Sequence, residues 1–385
     1  MPRPTSPHIV VIGAGTLGLS CAINLSEQGA RVTVLDAGAI ASGSSGRSVG
    51  VIGTQYSDAF DIKLRVHALR QFRHWETLGL NFQRIGYLRL ARTADQMALL
   101  AQSVELQDSA GFKSHLHEAG ELKKIVPHLS TQGLAGGILG PDDGFIDAHQ
   151  MCSLLAQMVR ESGGTVRQFC RLLDVTRTGG GYRLGVSDDI IRCDMVVNAA
   201  GAWAPAVAAM LGQTLHIHPE RHEAVTIHLD HPLAYTMPMV MDLVNGQGTG
   251  LNFRHEAPTA LIAEIHKVDT SSPEDPDAYN DQCNEDSKVA LAELLLDRLP
   301  DLPGARLGRG WAGLYPVTAD DRPFVGPVDP SEPTVITAAG AGGYGIQLAP
   351  VIGQLAADWV MQGAPNSMPE AEVLTPNQER NLPRV

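Results

Sequence analysis

Residues 8–36, "HIVVIGAGTLGLSCAINLSEQGARVTVLD", constrain the fold more than any other stretch. "HIVVIG" is a continuous apolar run, as a parallel strand buried on both faces requires. "TLGLSCAINLSEQG" has helical spacing and stops at Gly29, and "RVTVLD" reads as the next strand. Between the first strand and the helix, Gly13, Gly15 and Gly18 form G-x-G-x-x-G. The first glycine permits a tight turn, the second lets the backbone approach a pyrophosphate, and the third lets helix and strand pack closely. The helix start, through Thr16 and Leu17, offers amide N–H groups and a positive dipole end to phosphate. Asp36 follows Gly18 by 18 residues, with Ala37 beside it, and ends the second strand. There its carboxylate can accept hydrogen bonds from an adenosine ribose. The fingerprint predicts a dinucleotide site and does not by itself separate NAD from FAD.

A third consecutive βα repeat would complete a simple nucleotide-binding half. The chain instead continues "AGAIASGSSGRSVGV", rich in Ser and Gly. A loop here can reach back over a pyrophosphate, with Ser44, Ser45, Arg47 and Ser48 as donors and Val49 closing it. The break also means that later segments must complete the first domain. At 385 residues there is chain enough for two or three domains. The net charge of −13 argues against a nucleic-acid partner or an anionic membrane surface. No apolar run has the length of a membrane span. Five scattered cysteines without a CxxC pair fit a reducing compartment and supply no iron–sulfur or zinc framework. A soluble, cytoplasmic protein is expected.

Further along, 59–79, 95–109 and 119–126 read as helices, and "RIGYLRLAR" as a strand. Asp147 is placed to cap a helix that stops at Gly163. Three strands are expected between 165 and 198, and "LNFRHEAPTALIAEIHK" resembles a hairpin. Residues 269–287 are acidic and Pro/Ser-rich, and read as a solvated loop or a surface for a partner subunit. A second glycine-rich stretch, "TAAGAGGYGIQLAP", lies at 337–350.

Five motifs in order resemble the D-amino acid oxidase superfamily of FAD enzymes, in the branch of glycine oxidase, sarcosine oxidase and D-amino acid dehydrogenase. They are "VIGAGTLGLS…VTVLD", "SGSSGRSVG", "MVVNAAGAWA", "GLYPVTADDRPFVG" and "AAGAGGYGIQLAP". The resemblance runs the whole length. It implies an α/β architecture: a Rossmann-like FAD domain from 1–80, 145–210 and 310–385, interleaved with an antiparallel-sheet α+β substrate domain from 81–144 and 211–309. It places Gly201, Trp203 and Leu172 against the cofactor. It makes the tail, Gly342, Gly343, Tyr344, Gly345 and Ile346, the wall at the flavin end. The implied reaction moves a hydride from the carbon beside a primary or secondary amine to the flavin, giving an imine.

Three departures from the resemblance bear on function. Sarcosine oxidases attach FAD through a cysteine where this chain has Gly313, so noncovalent FAD is expected. They use a lysine to help oxygen react, and the alignment puts Ile262 or a neighbour there, with His266 and Lys267 close by. That favours a dehydrogenase or slow oxidase, with a quinone, a partner protein or oxygen as acceptor. The cations that hold the substrate carboxylate in relatives are replaced by Gly343 and Gln347. Either the substrate lacks that carboxylate or another base binds it, and Arg254 is the first candidate. Tyr56, Tyr87 and Tyr315 could add hydroxyls, each with packing as the plainer role.

Two other reactions stay open. Oxidation of a 2-hydroxy acid needs a base for the hydroxyl proton, from His255 or His266. The chain could also be the FAD subunit of a multi-subunit dehydrogenase, hence a homo- or hetero-oligomer. His216, His218, His222, His228 and His231 cluster without the spacing of a metal site and read as structural.

Overall fold

The computed structural model describes residues 6–243, 250–266, 273–331 and 333–383. The apolar run at the start forms the strand His8–Ile12, buried along its whole length. It sits inside a six-stranded sheet in the order Phe324–Gly326, Val335–Ala339, Met195–Asn198, His8–Ile12, Arg31–Leu35, Thr165–Arg167. All neighbours are parallel except Phe324–Gly326, which runs antiparallel at one edge. Parallel strands need crossovers, and both faces are buried: one under helices, the other mainly under the strands between Leu172 and Cys193. The helices Thr16–Glu27, Ala148–Glu161 and Gly345–Gln362 join the sheet in one apolar core. The first and last cross so closely that a Cβ on Gly353 would lie 2.6 Å from the carbonyl carbon of Ser20. Asp147 does cap Ala148–Glu161, its Oδ1 accepting from Gln150 N at 3.0 Å.

A second, eight-stranded sheet has the order Arg306–Val317, His218–His228, Ala260–His266, Gly250–Ala257, Met239–Leu243, Tyr87–Ala91, Gly136–Gly140, His115–Glu118. Only Met239–Leu243 and Tyr87–Ala91 pair in parallel. Side chains alternate between the faces of a strand. One face here is apolar: Leu88, Val225, Val240, Phe253 and Leu261 pack with Leu291 and Leu295 of the helix Glu285–Arg298. The opposite face carries Tyr87, Arg89, Met241, Asn252, Arg254, Glu264, His222, Trp311 and Tyr315, and it turns to the loops of the first sheet. Trp311 Nε1 donates to Arg47 O at 2.7 Å, and a Cβ on Gly343 would lie 2.6 Å from the Tyr315 ring.

Two details differ from the sequence reading. Residues 165–198 contain five strands rather than three. Leu172–Thr178, Gly181–Val186 and Asp189–Cys193 form a separate antiparallel meander between two strands of the parallel sheet. Short turns such as "TGGG" are hard to separate from strand ends by composition alone. The strand Arg306–Val317 also runs through residue 310, the expected domain boundary, and pairs with His218–His228 on both sides of it.

Candidate active site

A cleft of about 520 Å³ opens where the strands His8–Ile12, Arg31–Leu35 and Met195–Asn198 end. In open parallel sheets this is where ligands bind. Its floor is the first glycine turn. Gly13 adopts φ +112°, and a Cβ there would lie 2.4 Å from Ala199 O. Gly15 and Thr16 line the cleft, and Ser45 Oγ accepts from Thr16 N at 3.1 Å. Gly18 stays behind the turn, where a Cβ would lie 1.9 Å from Gly13 O. Gly15 at the helix start has no side chain to cap the amides. Asp36 is held in place, Oδ2 accepting from Ala14 N at 2.7 Å and Oδ1 from Gly38 N at 2.8 Å.

The second glycine-rich stretch forms the opposite wall. Ala341, Gly342, Gly343, Gly345 and Ile346 line the cleft, and Gly342 takes φ +51°. The helix Gly345–Gln362 begins there with no side-chain cap and no acidic residue in its first turn. Its positive dipole end therefore meets the cleft unneutralised. Between the two walls lie Leu17, Ala37, Ser44, Ser48, Leu172, Gly201 and Trp203.

Arg47, Val49 and Tyr344 sit outside the cleft. Arg47 turns away, donating to Ser42 O at 2.6 Å and pairing with Asp281 at 3.4 Å. With Val49 it borders a smaller cavity that also touches Ser48, His222, Glu264 and Tyr315. Tyr344 packs edge-on to Tyr56 with 5.9 Å between ring centroids. The described part of the acidic loop is not simply solvated. Asp277 lines the cleft and accepts from Trp203 Nε1 at 3.0 Å, so the loop closes the cleft's outer side.

The strongest correction concerns Arg254. It is 4% exposed and lines neither cavity. Its Nε and Nη2 donate to Val49 O at 3.0 and 2.8 Å, and Nη1 donates to His255 O and to Glu256. Its guanidinium also lies 3.7 Å from the centroid of Phe145. All three nitrogens are committed to the protein, so Arg254 anchors the Ser45–Val49 loop rather than a substrate. His255, next along the strand, falls on the other face, where Nδ1 accepts from Met237 N at 3.1 Å. His266 ends its strand opposite Gly250. Lys267 lies outside the described residues.

Tyr315 lines the cleft and stacks on His222 with 3.9 Å between centroids. Burial pushes the phenols of Tyr315 and Tyr87 well above their ordinary range, so both stay neutral. Tyr87 sits against Gly53 and donates to Met241 Sδ at 3.4 Å. Gln347 bridges two elements: Oε1 accepts from Gly53 N at 3.2 Å and Nε2 donates to Tyr56 OH at 3.0 Å. The Tyr56 ring carries Arg65 Cζ at 3.2 Å from its centroid, with Arg89 Cζ at 5.9 Å. Arg65, Arg89, Asn252, Glu264 and Asp143 were not singled out from the sequence. The period-2 reading of "YLRLA" and "LNFRHE" would have put Tyr87 with Arg89 and Asn252 with Arg254, had the pairing been known. No group of metal-ligating side chains occurs among the described residues, the His216–His231 region included.

The fold and the cleft together define a flavin-dependent oxidoreductase. The chain belongs to the DAO family of FAD-dependent oxidoreductases, which is matched over residues 8–359. It is 24% identical to a glycine oxidase of Geobacillus kaustophilus, over 91% of this chain and 92% of that one. It is 27% identical to a 4-methylaminobutanoate oxidase (formaldehyde-forming) of Paenarthrobacter nicotinovorans, over 94% of this chain but 45% of that longer protein. The solved L-proline dehydrogenase from P. horikoshii superposes with a TM-score of 0.86 at 25% identity, covering 97% of this chain and 98% of that one. The cleft fits FAD: two helix starts whose N-cap residues supply no capping side chain, a glycine turn with no room for a Cβ at Gly13 or Gly15, and a fixed carboxylate at Asp36.

Proposed function

We propose that this chain oxidises an amine or amino acid at the carbon beside nitrogen, with noncovalently held FAD, and passes electrons to an acceptor other than oxygen. The observation that carries it is the polar, aromatic face of the eight-stranded sheet, laid over the tail-turn end of the cleft. FAD held there would supply the hydride acceptor for oxidation of the substrate's C–N bond to an imine, which water then hydrolyses. Gly13, Gly15 and the start of the helix at Thr16 would hold the pyrophosphate, and Asp36 would accept from the ribose hydroxyls. The helix start at Gly345 would face the other end of the cofactor, where its dipole would favour negative charge. Neutral Tyr315 and Tyr87 give the substrate space hydroxyls without charge, and the closing loop at Asp277 limits water.

Ile262 stands opposite Arg254 on the sheet. An apolar side chain there supports a slow reaction with oxygen, and a quinone or partner protein as acceptor. The 2-hydroxy acid reading loses its base at His255, whose Nδ1 is already occupied on the far face. A reducing compartment fits the five cysteines, all unpaired and buried, and no described helix is long and apolar enough to cross a membrane.

The test is an anaerobic screen of amines, N-methyl amino acids, D-amino acids, cyclic imino acids and hydroxy acids for bleaching of the flavin. It reads the reductive half-reaction alone, so the acceptor need not be known. Bleaching by an amine or amino acid is expected; bleaching by hydroxy acids alone would sink the reading.

A further inference from the structure

Three buried side-chain atoms on the polar face of the eight-stranded sheet have no hydrogen-bond partner. One is His222 Nε2, which stands 3.5 Å from Glu220 Oε2 in a ring stacked on Tyr315; the other two are Arg89 Nε and Asn252 Oδ1. Such atoms are costly, and in a binding face they point to a ligand. The last two lie in one row across three strands, because Met241 pairs with both Arg89 and Asn252. Two strand spacings separate their Cα atoms by about 10 Å, and the long Arg89 side chain spans part of that gap. One atom is a cationic donor and the other a neutral acceptor.

The acceptor is fixed in sense. Asn252 Nδ2 donates to Glu264 Oε1 at 3.0 Å, and a carboxylate only accepts, so Oδ1 must be the atom left open. Arg89 is held by one bond, Nη1 to Gln55 O at 2.9 Å, and stands over Tyr56. Arg254, by contrast, has no nitrogen to spare.

We propose that Arg89 and Asn252 read the two ends of an amino-acid substrate, Arg89 taking the carboxylate and Asn252 Oδ1 accepting the amine N–H. This rests on the amine-oxidation reading and narrows its substrate class to those carrying a carboxylate. A neutral acceptor suits the chemistry. An amine that is to lose a hydride from its carbon must keep its lone pair, and a carboxylate set directly against it would favour the ammonium. Interposing Asn252 keeps Glu264 away from the nitrogen. The cation absent from Gly343 and Gln347 is thus supplied from the sheet.

The experiment titrates the FAD-loaded protein with acetate and acetamide, reading perturbation of the flavin's visible spectrum. A panel amino acid that bleaches the flavin is compared with its primary amide. Arg89→Met should weaken acetate and amino acid by tenfold to a hundredfold, as loss of a charge-assisted hydrogen bond does, and leave both amides unchanged. Arg89→Lys should recover part of the loss. Asn252→Leu should weaken the amino acid and its amide equally and leave acetate alone. Thermal melts show whether each variant is folded; should Arg89→Met fail, the acid-to-amide ratio of Arg89→Lys gives the answer. Failure of wild type to bind acetate, equal acetate binding in Arg89→Met, or equal losses for acid and amide would each overturn the proposal. Arg89-dependent acetate binding without bleaching by any amine or amino acid would support the carboxylate site and overturn the amine-oxidation reading instead.

Discussion

Asp143 should make the stability of this protein fall as pH rises through neutrality, an effect that Asp143→Asn should remove. The residue is 1% exposed, below the Gly53–Tyr56 segment. Thr54 N and Oγ1 donate to its Oδ1 at 3.1 and 3.0 Å. Burial outweighs these bonds and pushes its carboxyl from 3.8 up to about 7. The folded protein then holds the proton more tightly than the unfolded chain does. Its contribution is therefore fully present at low pH and is lost progressively between the unfolded value and about 7. At about 1.4 kcal/mol per pKa unit, roughly 2–3 kcal/mol disappears between pH 5 and 8. For a chain of this length that is about 2–4 °C in melting temperature. Melts of wild type and Asp143→Asn at matched pH and saturating FAD isolate the effect as a difference of two curves. The wild type should lose ground to the variant from pH 5 to about 7 and level off by pH 8. A gap that stays constant across that range would refute the reasoning, and Asp143 would be ionised and fully compensated in the fold.

Gly18→Ala puts a Cβ 1.9 Å from Gly13 O, a backbone atom that cannot step aside. We expect a loss of roughly 1–3 kcal/mol and a rise in the FAD dissociation constant, followed by flavin fluorescence. Arg254→Met should leave Val49 O short of two donors, costing roughly 1–3 kcal/mol in melts and loosening FAD. It should leave the acid-to-amide preference untouched; loss of that preference would restore Arg254 as a substrate anchor. Gly313 offers no thiol, so acid precipitation should leave the yellow colour in the supernatant, and flavin retained in the pellet would show a covalent link. Stopped-flow mixing of the reduced protein with air-saturated buffer should show slow reoxidation; a fast phase would move the acceptor back to oxygen.

The glycine turn and the acid that follows it were legible because their chemistry is local. Gly13, Gly15, Gly18 and Asp36 lie within 24 consecutive residues, and one strand–turn–helix–strand unit fixes their geometry. The tail glycines were legible as a turn into a helix for the same reason. The substrate face was not. Arg254 and His255 are neighbours in the chain, yet one anchors Val49 and the other serves Met237 on the opposite face. Arg89 and Asn252 are 163 residues apart in sequence and share a row only because Met239–Leu243 pairs with both of their strands. The sequence by itself determined the cofactor class, the apolar strands and the turns, since these follow from periodicity and from where glycine is needed. Only the tertiary structure decided which arginine is spent on the protein and which is left for a ligand. That depends on strand register, and a slip of one residue would turn each of these side chains to the other face.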